Sequence, residues 1–496
     1  MIDQSLKSRK AGILLPVASL PSNYGIGDFG KKAYEFVDLL HEGGFSLWQI
    51  LPLNPLGYGH SPYQPFSSFA FDELYIDLEE LHRQGYIKKL PRKKRNGEKI
   101  EYEKLREFKK PYLEEAFDNF LSAHPKGLSN FEKTHPWVAD YSVFKLFKDS
   151  EGGIAWESWP DWKRNWIYTR PKLTPELERG RLYQLFLQKT LYEQWGKLHK
   201  YANKKGLKII GDVPFYVGYD SCDVWANQEY FLLDPESKQP SFIAGVPPDY
   251  FSATGQRWGN PIYDWNRLEK DGFSFLLKRI QGNAAIYDII RLDHFRAFDT
   301  YWKVPSSCPT AMEGEWIEAP GYLFFDKLLG ENPDISIIAE DLGSLRPEVL
   351  SLRDHYHFPG MNVIEFTFDD CELSGKKEEW DRENLVCYLG THDNDTIKGY
   401  LKSLEKDHRK KWVKALQSLN IPTKPLPWAM VEYAMRMKCR YAVLSMQDVL
   451  GLDSYSRLNK PGIIDDINWS WKMKNFSSFE EILPSLASLI RNTERR

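Results

Sequence analysis

Short apolar segments that end in ionisable residues recur along this chain, and this feature constrains the fold most strongly. The clearest segment, 285–290, is apolar and β-branched, and it runs directly into Arg291-Leu292-Asp293-His294-Phe295-Arg296. Similar segments precede Asp212, Glu340 and Asp393. About eight such strand patterns alternate with helical patterns over the 496 residues. The alternation predicts the α/β class and a (β/α)8 TIM barrel.

The spacing of the patterns also predicts additions to the barrel. A first strand at 12–17, a helix at 31–42 and a second strand at 46–51 are followed by an irregular, charged stretch. We expect one catalytic barrel domain over 1–496, with an inserted subdomain at 71–179 after the second strand. A further insertion is expected at 213–284 after the third strand. Within it, the aromatic segment 245–261 has neither strand nor helix periodicity, which favours a lid loop.

The acidic residues at the predicted strand ends indicate chemistry on sugars. Active sites of such barrels lie at the carboxyl ends of the strands, where Asp212, Asp293, Glu340 and Asp393 fall. Arg291, two residues before Asp293, is expected to hold that carboxylate ionised, as a nucleophile requires. Glu340 is followed by a second acid, so one of the pair should have a raised pKa. An ionised Asp near a protonatable Glu is what a retaining glycosidase or transglycosylase needs.

Other interpretations of these motifs remain open from the residues alone. The segment around Asp293 could be a structural ion-pair network at a strand end. His392, Asp393 and Asp395 could suggest a metal, although no Cys or second His lies nearby. The glycines of segment 25–30 match a dinucleotide-binding pattern, but the next strand lacks the acidic residue that would bind a ribose.

Composition excludes several partners. The net charge is −3 and no basic block stands out, which argues against nucleic acid. No apolar stretch reaches the ~20 residues that span a bilayer, so no membrane partner is expected. The five cysteines are scattered and the N-terminal ten residues lack an apolar signal core, which favours reduced thiols in the cytoplasm. Aromatic residues make up 15% of the chain, enough to line a sugar site or simply to fill a core.

Seven motifs in the same order along the chain resemble one family. They are Tyr24-Gly25-Ile26-Gly27-Asp28, Ser61-Pro62-Tyr63-Gln64, Gly211-Asp212-Val213-Pro214, Asp249-Tyr250-Phe251-Ser252-Ala253-Thr254-Gly255-Gln256, Arg291-Leu292-Asp293-His294-Phe295-Arg296, Ile338-Ala339-Glu340-Asp341-Leu342-Gly343 and Gly390-Thr391-His392-Asp393-Asn394-Asp395-Thr396. The chain resembles the 4-α-glucanotransferases called amylomaltases or disproportionating enzymes, glycoside hydrolase family 77 of the α-amylase clan. It departs from the family pattern at 69–73, at 374–380 and at Ala297.

The resemblance implies roles for individual residues. Asp293 would be the nucleophile, Glu340 the acid/base and Asp393 the stabiliser of the transition state. The implied substrate-binding residues are Arg291, His392, Tyr58, Ser61, Asp212, Asp249, Tyr250, Phe251, Gln256, Trp258, His294 and Asn459. The implied partners are maltooligosaccharide or α-glucan donors and acceptors, with no metal and no cofactor. The oligomeric state is not predicted.

Two other functions fit the same motifs. A plain α-glucan hydrolase would use the same carboxylates with water as the acceptor. A non-catalytic glucan-binding protein would keep the pocket without turnover, although the presence of all three carboxylates argues against it.

Overall fold

The computed structural model describes residues 9–93, 97–248, 252–463 and 465–496. The strands are β1 (Lys10–Leu14), β2 (Leu47–Gln49), β3 (Lys208–Val213), β4 (Phe242–Val246), β5 (Gln256–Pro261), β6 (Ile289–Leu292), β7 (Thr300–Pro305), β8 (Glu315–Glu318), β9 (Ile337–Ala339), β10 (Gly360–Val363), β11 (Leu385–Tyr388) and β12 (Tyr441–Ser445). The helices are α1 (Lys31–Glu42), α2 (Leu78–Arg83), α3 (Tyr102–Ala123), α4 (Ser129–Thr134), α5 (Trp137–Ser150), α6 (Asp161–Arg164), α7 (Trp166–Thr169), α8 (Pro175–Lys204), α9 (Cys222–Ala226), α10 (Trp265–Lys270), α11 (Ser274–Ala284), α12 (Gly321–Glu331), α13 (Pro347–His355), α14 (Ile364–Glu372), α15 (Lys377–Trp380), α16 (Ile397–Ser403), α17 (Lys406–Ser418), α18 (Leu426–Arg436), α19 (Met446–Val449) and α20 (Ser477–Asn492).

Eight parallel strands form the central sheet. Their order is β10, β11, β12, β1, β2, β3, β6 and β9. Between the two outer strands, the backbone N–H of Ala339 donates a 2.9 Å hydrogen bond to the carbonyl of Pro359. The sheet therefore curls into a nearly closed barrel with helices around it, and the predicted (β/α)8 fold is confirmed.

The barrel elements follow from local sequence patterns. In α1, the apolar residues Ala33, Phe36, Val37 and Leu40 recur at helical spacing, and all four are buried against the barrel. In β12, all five residues are buried, because one face of a barrel strand meets the interior and the other meets the helices. The predicted helix at 31–42 is thus confirmed at both ends.

A long helical region separates β2 from β3. Residues 50–207 include α2 to α8, and the last of these helices is 30 residues long. The Thr174 side chain accepts a hydrogen bond from the N–H of Leu177, and Pro175 occupies the first turn, so the helix begins with a well-formed cap. Among the described helices, none is both long and apolar enough to cross a bilayer.

The prediction that segment 245–261 contains no strand is wrong, whereas its role as a lid stays a prediction. The end of β4 and the whole of β5 lie in this segment, and both strands belong to an antiparallel sheet in the order β5, β4, β7, β8. The sequence pattern missed them because Gln256–Pro261 has no β-branched residue and no regular alternation. Backbone pairing with β4 determines their conformation instead. The sheet also includes β7 and β8, so it extends beyond the predicted insertion at 213–284.

The glycines of segment 25–30 serve close packing. A Cβ atom on Gly27 would lie 1.9 Å from the carbonyl oxygen of Val17. The N–H of Gly30, at the start of α1, donates to the Asp28 carboxylate at 3.0 Å. A carboxylate therefore occupies the helix N-terminus where a pyrophosphate would bind, which removes the main support for the dinucleotide interpretation.

Candidate active site

Arg291 organises one wall of the site from strand β6. Its side chain is only 4% exposed, and its Nη1 atom donates to Asp293 Oδ1 at 3.0 Å. The same Nη1 donates to both carboxylate oxygens of Asp212 at 2.7 and 2.8 Å. Asp212 is fully buried on β3, so it holds the guanidinium in position for Asp293.

Glu340 follows strand β9, the neighbour of β6, and lies beside Asp293. The Glu340 N–H donates to the carbonyl of Leu292, the residue just before Asp293, at 3.0 Å. Its carboxyl oxygens accept hydrogen bonds from the backbone N–H groups of His294 at 2.7 Å and Leu342 at 3.1 Å. Neighbouring strands are about 4.8 Å apart. This separation is compatible with the 5–5.5 Å or so between the carboxyls of a retaining pair.

The electrostatics of this pair differ in part from the sequence-based prediction. Partial burial, together with the nearby charge of Asp212, raises the pKa of Asp293 to about 6, although Arg291 acts in the opposite direction. Burial therefore outweighs the contact with Arg291, but a pKa of about 6 is compatible with the expectation that Asp293 is ionised at neutral pH. Burial and then the charge of Asp293 raise the pKa of Glu340 to about 7, as expected for one acid of the adjacent pair.

Asp393 is the third carboxylate and behaves differently. Burial raises its pKa, but the charge of His392 and hydrogen bonds from His392 and Asn459 outweigh it and lower the pKa to about 2. The contacts are 3.3 Å to His392 Nε2 and 2.7 Å to Asn459 Nδ2. The carboxyl side chain is 47% exposed, so an ionised carboxylate faces the open side of the site.

Tyr63 belongs to the site, yet the sequence did not single it out. Its hydroxyl donates to Asp212 Oδ2 at 2.7 Å and lies 3.4 Å from His392 Nδ1. The tyrosine and imidazole rings stack with centroids 5.0 Å apart. The hydroxyl of Ser61 accepts the N–H of Tyr63 at 3.3 Å, so the predicted contact Ser61 shapes the turn that presents Tyr63. Only its place in the Ser-Pro-Tyr-Gln motif could have pointed to it.

Trp258 and His294 form another wall. Their rings meet edge to face with centroids 4.8 Å apart. The Trp258 indole N–H donates to Gln256 Oε1 at 3.2 Å, and the Trp258 carbonyl accepts from Gln64. Burial and then the charge of Arg296 lower the pKa of His294 to about 3, so this ring is neutral at pH 7.

The motifs that contain Glu340 and Asp393 each include a second acid, and its carboxylate bonds to groups other than the three candidate catalytic residues. Asp341 pairs with Arg353 and accepts the N–H of Met361 at 2.8 Å. Asp395 accepts hydrogen bonds from the hydroxyl of Ser454 and from the N–H of Thr396. The carboxylate of Asp395 therefore has its own partners, which weakens the metal interpretation of that segment. Asp249, Tyr250, Phe251 and the side chain of Tyr58 were also predicted to bind the substrate, and they lie outside the described part of the chain.

Comparison with known proteins identifies the family. The family model described as 4-alpha-glucanotransferase matches residues 15–478. The 4-alpha-glucanotransferase of Thermus thermophilus is 39% identical over 502 residues, covering 98% of this chain and 99% of the relative. That of Aquifex aeolicus is 41% identical over 486 residues, covering 97% and 99% respectively.

A solved structure is similar over the same extent. The amylomaltase from Streptococcus agalactiae, in complex with acarbose, has a TM-score of 0.91 and is 34% identical, covering 98% of this chain and 99% of the other. With the barrel and the three strand-end carboxylates in place, the chain belongs to the 4-alpha-glucanotransferases of glycoside hydrolase family 77.

Proposed function

We propose that this chain transfers α-1,4-glucan segments between maltooligosaccharides by a retaining double displacement. Asp293 attacks the anomeric carbon while Glu340 protonates the departing glycosidic oxygen. The aglycone leaves, and a glucosyl ester on Asp293 remains. Glu340 then removes a proton from the 4-hydroxyl of an acceptor glucan, which attacks the anomeric carbon and frees Asp293. Two inversions give net retention.

The observation that supports this mechanism best is that the neighbouring carboxyls of Asp293 and Glu340 have different contacts and different pKa values. Asp293 is tethered to a buried arginine, and its pKa is about 6. Glu340 has a pKa of about 7, raised by burial and by the charge of Asp293. Because the Arg291 guanidinium donates directly to Asp293, loss of one of the two protons is expected to place the charge on Asp293 and leave the proton on Glu340. That is the protonation state in which attack and leaving-group protonation occur together.

Asp393 and its partners would bind the sugar at which the reaction occurs. An ionised carboxylate beside a histidine of raised pKa can accept and donate hydrogen bonds to neighbouring sugar hydroxyls. Such bonds strengthen as positive charge develops on the sugar ring in the transition state. Asn459 and His392 contact different oxygens of this carboxylate, and its half-exposed side chain has further lone pairs available to a sugar hydroxyl.

The coupled pair predicts a narrow pH optimum. The rate on maltotriose should rise as Asp293 ionises around pH 6 and fall as Glu340 loses its proton above about pH 7. A profile of kcat/KM between pH 4.5 and 9, measured at each pH after confirming that the fold persists, tests this. Constant activity from pH 7 to pH 9 would contradict the assignment of Glu340 as the acid.

Transfer also requires that water be excluded while the glucosyl ester waits for its acceptor. We propose that Trp258, which packs edge-on against His294, shields that intermediate. In Trp258→Ala, water should reach the glucosyl ester more easily. The ratio of transfer to hydrolysis should therefore fall by about tenfold. Product analysis on maltotriose measures it, with Trp162→Ala on helix α6, 47% exposed, as the matched control. An unchanged ratio would show that Trp258 is not the shield.

Products from maltotriose distinguish the proposed activity from its alternatives. Transfer yields glucose together with chains longer than maltotriose, and added glucose changes the product distribution because it competes as an acceptor. A hydrolase yields only shorter chains, and a binding protein yields none. Chromatography with and without glucose therefore tests the proposal. We also propose a cytoplasmic location, which the five free thiols favour.

A further inference from the structure

A group of buried acids lies behind the loop that carries His392 and Asp393. Glu365, in the first turn of α14, is 6% exposed, and Asp448 on α19 is 3% exposed. The proposed mechanism uses neither of them. Burial and then the charge of Asp448 raise the pKa of Glu365 well above its usual range, and Asp395 adds to the effect.

Hydrogen bonds connect Glu365 to the backbone of Asp393. The side-chain amide of Asn394 donates to Glu365 Oε2 at 2.9 Å. The side-chain oxygen of Asn394 accepts hydrogen bonds from both the N–H and the hydroxyl of Thr391, each at 2.9 Å. The Thr391 hydroxyl oxygen in turn accepts the N–H of Asp393 at 3.3 Å. A series of hydrogen bonds therefore connects the buried Glu365 side chain, through Asn394 and Thr391, to the backbone of Asp393.

The surroundings of Glu365 suit a neutral acid better than a carboxylate. Among the described residues, Asn394 supplies the hydrogen bond to Oε2, and Oε1 has no partner. The titratable and charged groups that face it are Asp395, Asp448, Arg457 and Tyr400, whose hydroxyl donates to the backbone carbonyl of Glu365. The guanidinium of Arg457 donates to the backbone carbonyls of Asn459 and Asp393. A buried carboxylate with one donor and two acidic neighbours is costly, and the protonated form costs less because it carries no charge.

We infer that Glu365 is a positioning residue, held as a neutral carboxylic acid, which through Asn394 fixes the loop that presents His392 and Asp393. The inference rests on the proposed role of Asp393. It assigns to Glu365 the shape and hydrogen-bonding pattern of an amide, so glutamine should replace it and alanine should not.

Thermal unfolding tests the protonation state without substrate. A carboxyl whose pKa is raised by folding binds a proton that the unfolded chain releases, so stability declines as the pH rises from the unfolded pKa towards the folded one. Glutamine does not titrate. The Tm of Glu365→Gln should therefore equal the wild-type Tm or nearly so at pH 4.5 and exceed it by a few degrees, about 1–3 °C, at pH 8. A deficit that grows with pH would show an ionised Glu365 and overturn the inference.

Turnover tests the positioning role. In Glu365→Ala, kcat/KM on maltotriose should fall by about tenfold or more, because a displaced Asp393 loses transition-state contacts. Glu365→Gln should restore it to within about threefold of wild type. Glu372→Ala, at the far end of α14 with a 9% exposed carboxylate bonded to Tyr433, is the matched control.

Each result has a definite meaning. Full activity in a folded Glu365→Ala variant, or equal losses in the alanine and glutamine variants, would overturn the positioning role. Asp393→Ala in the same assay tests the proposed function separately, since its full activity would remove Asp393 from the mechanism. The thermal comparison would still decide the state of Glu365, even if the alanine variant failed to fold.

Discussion

Asp293→Ala is expected to lower turnover of maltotriose by about 10,000-fold or more, since removal of a nucleophile abolishes the covalent route. Binding of a glucan should persist, because the remaining contacts to the sugar come from other elements, notably the loop with His392 and Asp393. Arg291 keeps both of its contacts with Asp212 in this variant, so the wall of the site on β3 and β6 should stay in place. Steady-state kinetics and calorimetric titration with maltotriose measure the two quantities.

The control for this variant is at the other end of the same strand. Asp288 precedes β6 and bonds to His199, Asn203 and the N–H of Ile209, on the opposite side of the barrel from the site. Asp288→Asn should affect stability while leaving kcat within about threefold of wild type. If Asp293→Ala kept more than about one hundredth of wild-type transfer, Asp293 would not be the nucleophile.

Glu340→Gln should show a loss that depends on the leaving group. With maltotriose, whose departing oxygen needs a proton, the rate should fall by about 1,000-fold or more, within the range ascribed to general acid catalysis. With α-maltosyl fluoride, the first step should stay close to the wild-type rate, because fluoride leaves without protonation. Rapid measurement of fluoride release in a single turnover separates the two steps.

The neighbouring acid provides the comparison for this variant. Asp341 adjoins Glu340 in sequence, but its carboxylate pairs with Arg353 and the N–H of Met361. Asp341→Asn should therefore leave the ratio of the two substrates' rates unchanged, whatever it does to stability. Equal slowing of both substrates by Glu340→Gln would contradict the role of Glu340 as the acid.

The barrel and its three carboxylates could be predicted because the information is local. Each barrel strand is a short apolar run, and Asp293 and Glu340 directly follow such runs. In a parallel barrel the carboxyl ends of all strands meet at one rim, so residues distant in sequence become neighbours by topology alone.

The features that the sequence missed depend on non-local contacts. Tyr63 bonds to Asp212, 149 residues away, and contacts His392, 329 residues away, and no local pattern shows either contact. Strand β5 forms because β4 pairs with it, and its own composition is typical of a loop. The raised pKa of Asp293 also depends on non-local structure, because burial in the folded barrel and the charge of Asp212 on another strand both raise it.

The covalent intermediate tests the central claim most directly. Glu340→Gln reacts with α-maltosyl fluoride but lacks the base that activates an acceptor, so the glycosyl ester should accumulate. Proteolysis and mass spectrometry should then find one maltosyl group on the peptide that contains Asp293. A maltosyl group on a different residue would contradict the account, as would fluoride release without any covalent adduct.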